Sequence, residues 1–222
     1  MSPHRPTEPA SKRAITFVDG QNLYRCVKDT FGCSHPNYDV AKLSRVVCGA
    51  AGLSLCGARF YTGVPDARDN ARWHDFWSRK LLAISRQGVR TFSRPLRYRN
   101  ETIALSGGKF TRRQGREKGI DVRIAIDLIT LAYRREYDVA VVFSQDQDLS
   151  EVAIELRRIS REQNRWIQMI SAFPYDPADR TCRGIEKTTW FRIDQALYNT
   201  CIDPYDYRTP ATASAGRARS GS

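Results

Sequence analysis

Ala14-Ile15-Thr16-Phe17-Val18-Asp19-Gly20-Gln21-Asn22 decides how the rest of the chain is read. Its first five residues, apolar with β-branched members, have the character of a buried strand. Asp19 closes that strand, Gly20 allows a tight exit, and Asn22 falls at the start of the helix that follows. A second stretch repeats the design: Val139-Ala140-Val141-Val142-Phe143, then Ser144-Gln145-Asp146-Gln147-Asp148. A third carboxylate, Asp121, follows Gly119 at the head of a strongly periodic segment. In an open α/β sheet the carboxyl ends of neighbouring strands meet in one crevice, where ligands bind. Carboxylates from distant parts of the chain would converge there and repel one another. The usual remedy is a hard divalent cation held through oxygen. The pattern points to metal-dependent phosphoryl transfer.

Working outward, Leu23, Val27 and Phe31 form one face of a first helix, and Val40, Leu43, Val46 and Val47 form one face of a second, capped by Asp39. Cys56–Thr62 is predicted as a strand, Ala67–Arg86 as a helix, and Val89–Phe92 as a third strand. Pro95–Leu105 reads as a basic extension with hairpin character, and Ser106–Arg116 as a Gly- and Arg-rich mobile segment. Helix Lys118–Tyr133, strand Val139–Phe143, helix Leu149–Ser160, strand Trp166–Ile170 and a short strand Trp190–Ile193 follow. Strands alternating with helices imply a mostly parallel sheet in a three-layer α/β/α sandwich. Residues 1–13 are expected to form a flexible arm, 14–203 one domain, and 204–222 a disordered tail.

The 222 residues suffice for one core. No run approaches the length of a membrane helix and the N-terminus lacks an apolar signal core, so the expectation is a cytoplasmic protein with no membrane partner. Six cysteines without CxxC spacing and only three histidines argue against a zinc site. The formal charge of +12 suggests an anionic partner, although 29 arginines against 7 lysines could reflect codon bias. The distribution says more. From Arg86 to Lys118 there are ten basic residues and two acidic ones, Glu101 and Glu117. Arg94, Arg97, Arg99, Arg112, Arg113 and Arg116 are forked donors suited to phosphates. Phe92, Tyr98 and Phe110 interleave with them, able to stack on unpaired bases or, for Phe92 equally, to pack in the core.

Each acidic residue also has a purely structural reading. Asp19, Asn22 and Asp148 are preferred N-cap types, and Asp121 suits the positive end of a helix dipole. Asp127, six residues after Asp121, lies about 120° around the same helix and cannot easily share its site; it is read as structural or supporting. Dehalogenase-like phosphatases need a second Asp two positions after the first, where Gln21 stands. No GxxxxGK[ST] phosphate loop or GxGxxG dinucleotide turn is present.

Taken in order, FVDGQN, EKGIDVRIAIDLI and VVFSQDQDL resemble the NYN domain family of PIN-like ribonucleases over roughly Ala14 to Ile170. The resemblance implies a PIN-like sandwich in which clustered aspartates hold Mg²⁺ or Mn²⁺ and cleave RNA, with single strands favoured. It marks Asp19, Asp121 and Asp146 as metal and catalytic positions and Asp148 as a further catalytic one. Asn22 matches the polar partner of the first aspartate, and Ser144 the small hydroxyl residue before the third. Lys118 either holds the scissile phosphate or pairs with Glu117. The basic insertion at about 94–117 and the stretch after Ile170 depart from the pattern. A catalytically silent nucleic-acid-binding or regulatory module on the same fold is the alternative, and a protein inhibitor is a further conceivable partner.

Overall fold

The computed structural model describes residues 6–105, 108–179 and 182–209; over 100–105 and 108–114 it gives the chain path without side chains. In order, the elements are β1 (Arg13–Asp19), α1 (Gly20–Phe31), α2 (Val40–Ala50), β2 (Ser54–Val64), α3 (Ala67–Arg86), β3 (Arg90–Pro95), β4 (Arg97–Leu105), β5 (Gly108–Arg116), α4 (Ile120–Tyr133), β6 (Val139–Phe143), a 3₁₀ turn (Gln147–Leu149), α5 (Ser150–Glu162), β7 (Gln168–Pro174), β8 (Thr189–Ile193) and α6 (Gln195–Thr200). Six strands pair in the order β3-β2-β1-β6-β7-β8, and every pairing in that sheet is parallel.

Strand alternation divides the interior into two layers. From β1, Ala14 and Val18 face a core shared with Leu23 and Val27 of α1, Leu43 and Val47 of α2, and Phe76 and Trp77 of α3. Ile15 and Phe17 face the other side, against Ile124 and Leu128 of α4 and Val152 and Leu156 of α5. The result is the expected α/β/α sandwich. The chain builds β1, β2 and β3 outward in one direction, then returns to lay β6 on the free side of β1 and continues to β7 and β8. The strand order therefore reverses between β1 and β6, the place where open α/β sheets bind ligands.

Three stretches differ from their sequence-based reading. Ser106–Arg116, expected to be mobile, supplies β5, which pairs antiparallel with β4 from Arg97↔Arg116 to Leu105↔Gly108. The pairing carries too few apolar residues for sequence periodicity to reveal it. Strand β7 runs on to Pro174 rather than ending at Ile170, because Ser171–Pro174 continues pairing with β8. The packed chain also reaches Tyr207, whose ring meets Phe76 edge-on at 6.2 Å and covers the Lys80 ammonium at 5.0 Å. Lys80 is almost fully buried and pairs with Asp203 at 3.2 Å.

Candidate active site

Asp19 is the last residue of β1 and the N-cap of α1, where its carboxylate accepts the Asn22 N–H at 3.0 Å. The residue is only 7% exposed. Burial pushes its carboxyl up to about 6; the Asn22 N–H and Arg25 oppose this and Asp146 adds to it. The glycine that follows is compulsory. A Cβ on Gly20 would stand 2.5 Å from the Phe60 ring and 3.0 Å from the Tyr61 carbonyl oxygen.

Asn22 ties the two strand ends together. Its side-chain oxygen accepts the Gln145 N–H at 3.0 Å, across 123 residues of chain, while its own N–H donates to the capping Asp19 carboxylate. The hydroxyl of Ser144 accepts the Asp146 N–H at 3.1 Å, and Asp146 in turn accepts the Asp148 N–H at 3.1 Å. The loop after β6 is therefore held by two caps, at Ser144 and Asp146, and tied to the loop after β1. Residues 182–186 strap it from outside: the Gln145 amide donates to the Arg183 carbonyl, and Gln147 bonds Gly184 and Glu186. The side chain of Asp148 is exposed, and its N–H is what engages the cluster.

Asp121 stands in the first turn of α4, partly buried. Four residues earlier is Glu117, which sequence reasoning passed over as a partner for Lys118. One of its carboxylate oxygens, Oε1, is buried with no hydrogen-bond partner. Burial pushes the Glu117 carboxyl up to about 8, Asp19 and Asp121 add to the rise, and Arg25 and the Gly63 backbone N–H oppose it. The four acidic groups Asp19, Glu117, Asp121 and Asp146 are thus electrostatic neighbours. Arg25, also unmarked by sequence, is the cation that offsets the charge at Asp19 and Glu117. Lys118 is exposed.

Asp127 is excluded from this cluster, as its place on the helix predicted. It is buried and bound by the Tyr61 hydroxyl at 2.7 Å, Arg59 at 3.1 Å and Arg123 at 2.8 Å, an anchor between α4 and β2. Phe92 takes its core alternative: it meets Tyr61 at 6.2 Å and lies under the guanidinium groups of Arg94 and Arg123. Arg94 reaches the head of α4, where a Cβ on Gly119 would meet its guanidinium nitrogen at 2.8 Å. Arg97, Arg99 and Arg116 are exposed on the hairpin, with Arg97 directly across from Arg116. Arg112, Arg113 and Phe110 lie on β5, with side chains outside the described residues.

The donor set suits a hard divalent cation. It is all carboxylate, the charges of its neighbours raise the proton affinity of Asp19 and Glu117, and one buried oxygen lacks a partner. Among the described residues no three acidic, His or Cys side chains converge closely enough to hold an ion directly. Such an ion would fit through one or two carboxylates with water completing its shell, the habit of Mg²⁺.

The NYN domain family matches this sequence over residues 13–178. A protein of unknown function, VPA0982 from Vibrio parahaemolyticus, has a solved structure that covers 85% of this chain and 97% of its own, with a TM-score of 0.50 and 20% identity. At that identity the likeness is one of fold. No curated relative matches the sequence.

Proposed function

The chain belongs to the NYN domain family, and from that premise we propose that it is a metal-dependent ribonuclease hydrolysing phosphodiester bonds of single-stranded RNA. The NYN domain has a nuclease-like, PIN-like fold, and its substrates are nucleic acids. The observation that carries the reading is the gathering of Asp19, Asp146, Asp121 and Glu117 at the point where the strand order reverses.

Of Asp19, Asp121 and Asp146, one or two would hold Mg²⁺ or Mn²⁺ directly and the rest through water, with the unpartnered oxygen of Glu117 beside them, and Asp148 would orient the attacking water from the rim. When bound, such an ion acidifies water and neutralises charge on the phosphoryl oxygens. The chain's own residues do the rest. Asn22 fixes the two aspartate loops against each other and Ser144 shapes the loop that carries Asp146, so Asp19 and Asp146 are held in place before substrate arrives. Arg94, at the head of α4, meets a phosphate beside the carboxylates, and Lys118 is exposed next to it. Arg97, Arg99, Arg112, Arg113 and Arg116 carry the strand along the hairpin. Backbone contacts and stacking of this kind give affinity with little sequence choice.

The test is incubation of the purified chain with labelled single-stranded RNA, duplex RNA and single-stranded DNA, each with Mn²⁺, Mg²⁺ or EDTA. Cleavage of single-stranded RNA that EDTA abolishes is the expected result. Salt-sensitive binding with no cleavage in any metal would leave the second reading, a silent nucleic-acid-binding module.

A further inference from the structure

Beside the carboxylates, on the side of α1 away from β6, a cleft of ≈ 490 Å³ opens between α1, the first turns of α3 and the base of the β4–β5 hairpin. We propose that this cleft receives one unpaired nucleobase of the strand whose backbone crosses Asp19, an inference that rests on the nuclease reading above.

Its walls are planar and already braced. Tyr24 is fixed by its hydroxyl, which donates to the Ser34 carbonyl at 2.9 Å. Trp73 stands edge-on to Phe76 at 4.9 Å, which holds its indole upright while leaving the residue partly exposed. On the hairpin, Tyr98 lies across Gly115, where a Cβ would come within 3.0 Å of the ring. One face of Tyr98 is thus spent on the glycine, and the residue lines the cleft. Fixed aromatic planes lose little entropy on binding a flat ring, and base–aromatic stacking tolerates every base.

Polar groups stand where the edge of a base would need them. The backbone of α3 leaves the helical path at Asn70, whose side-chain oxygen caps the resumed helix by accepting the Trp73 N–H at 3.3 Å. Asn70 also lines the cleft, so its side-chain amide is within the site. Gln21 lies on the inner wall, with its amide nitrogen 3.1 Å from where a Gly63 Cβ would be. That same Cβ position is 3.4 Å from the Glu117 carboxyl carbon and 2.4 Å from Leu96. Gly63 therefore marks a thin partition between the cleft and the acidic cluster, so a base in one and its phosphate at the other belong to the same nucleotide step. Arg25, exposed between the two, lines the cleft and neutralises the carboxylates. A paired base cannot reach such a site, because it is stacked inside its duplex. The cleft gives a physical reason for preferring single strands that the arginines alone do not supply.

The experiment measures binding in EDTA, where cleavage is suppressed. Fluorescence anisotropy of a labelled RNA hexamer, and displacement by adenosine 5′-monophosphate or by ribose 5-phosphate, would be followed for wild type, Trp73→Leu and Tyr98→Leu. Loss of one stacking partner should weaken hexamer binding about 5- to 150-fold. Adenosine monophosphate should compete with the hexamer on wild type far better than ribose 5-phosphate does, and should lose that advantage on both variants. Tyr98 lies on the hairpin outside the core, so its variant decides the matter if Trp73→Leu is unstable. Equal hexamer affinity in wild type and Tyr98→Leu, equal competition by the two small ligands, or no binding by wild type would overturn the base cleft. Binding that follows the expected pattern, with no cleavage when metal is returned, would retain the cleft and remove the nuclease reading alone.

Discussion

Replacing Glu117 by Gln should make the protein more stable at neutral pH and flatten its pH dependence in the absence of divalent cations. Burial and the neighbouring carboxylates raise Glu117 from 4.5 to about 8, and Asp19 from 3.8 to about 6. Both groups therefore hold protons in the folded state at pH values where the unfolded chain has released them. Between about pH 4 and pH 8 the folded state binds more protons, so stability falls as pH rises through that window. At pH 7, roughly 2.5 pH units above the ordinary Glu value, the cost of keeping Glu117 protonated is about 1.36 kcal/mol per pH unit, a ceiling of about 3.4 kcal/mol. Gln has the shape of the protonated acid and carries no such cost. A gain of about 2 kcal/mol would raise Tm by roughly 4–8 °C in a protein of this size. Thermal unfolding in EDTA at pH 5, 6, 7 and 8 should show wild type and Glu117→Gln nearly matched at pH 5 and diverging above it. Added Mn²⁺ should narrow the gap by stabilising the ionised wild type. Parallel curves across the whole range would refute the placement of Glu117 in a buried, charge-crowded site.

Asn22→Ala removes the acceptor that joins the β1 and β6 loops and leaves the Gln145 N–H without it. Stability should fall by about 1–3 kcal/mol, and cleavage by more than that loss explains, read by urea unfolding beside initial rates. Gly63→Ala places a methyl group against Leu96, Gln21 and Glu117; an overpacking cost of about 1–3 kcal/mol and weakened RNA binding by anisotropy are expected, and unchanged affinity would count against the partition. Asp203→Asn leaves the buried Lys80 ammonium without its counter-charge, which should cost about 3–5 kcal/mol in urea unfolding, whereas Lys80→Met with Asp203→Asn should recover most of it.

The mostly parallel sheet and the two aspartate-bearing strand ends were legible because β1 and β6 are uninterrupted apolar runs with polar exits, whereas the strand order, with its reversal between β1 and β6, was not read from the sequence. The exclusion of Asp127 was legible too, since helix geometry fixes its direction and the Tyr61–Arg59–Arg123 contacts bear it out. Glu117 was not. Its place depends on the left-handed Gly119 that starts α4 and on Gly63 at the far end of β2, neither of which a local pattern relates to it. Pro95–Leu105 showed its hairpin character, but the second strand of that hairpin escaped for a different reason: its register sets Arg97 opposite Arg116 and Tyr98 over Gly115, without an apolar face of period two. Lys80 shares the buried stripe of α3 with Phe76, Trp77 and Ile84, and only the chain reaching Asp203 explains a lysine there.

The most direct measurement is cleavage of 5′-labelled single-stranded RNA in Mn²⁺ by wild type and Asp146→Asn, with binding of each measured in EDTA. Cleavage by the wild type, its loss in the variant and equal RNA affinity in both are the predicted results. Cleavage by Asp146→Asn at the wild-type rate would contradict a carboxylate centre at the end of β6.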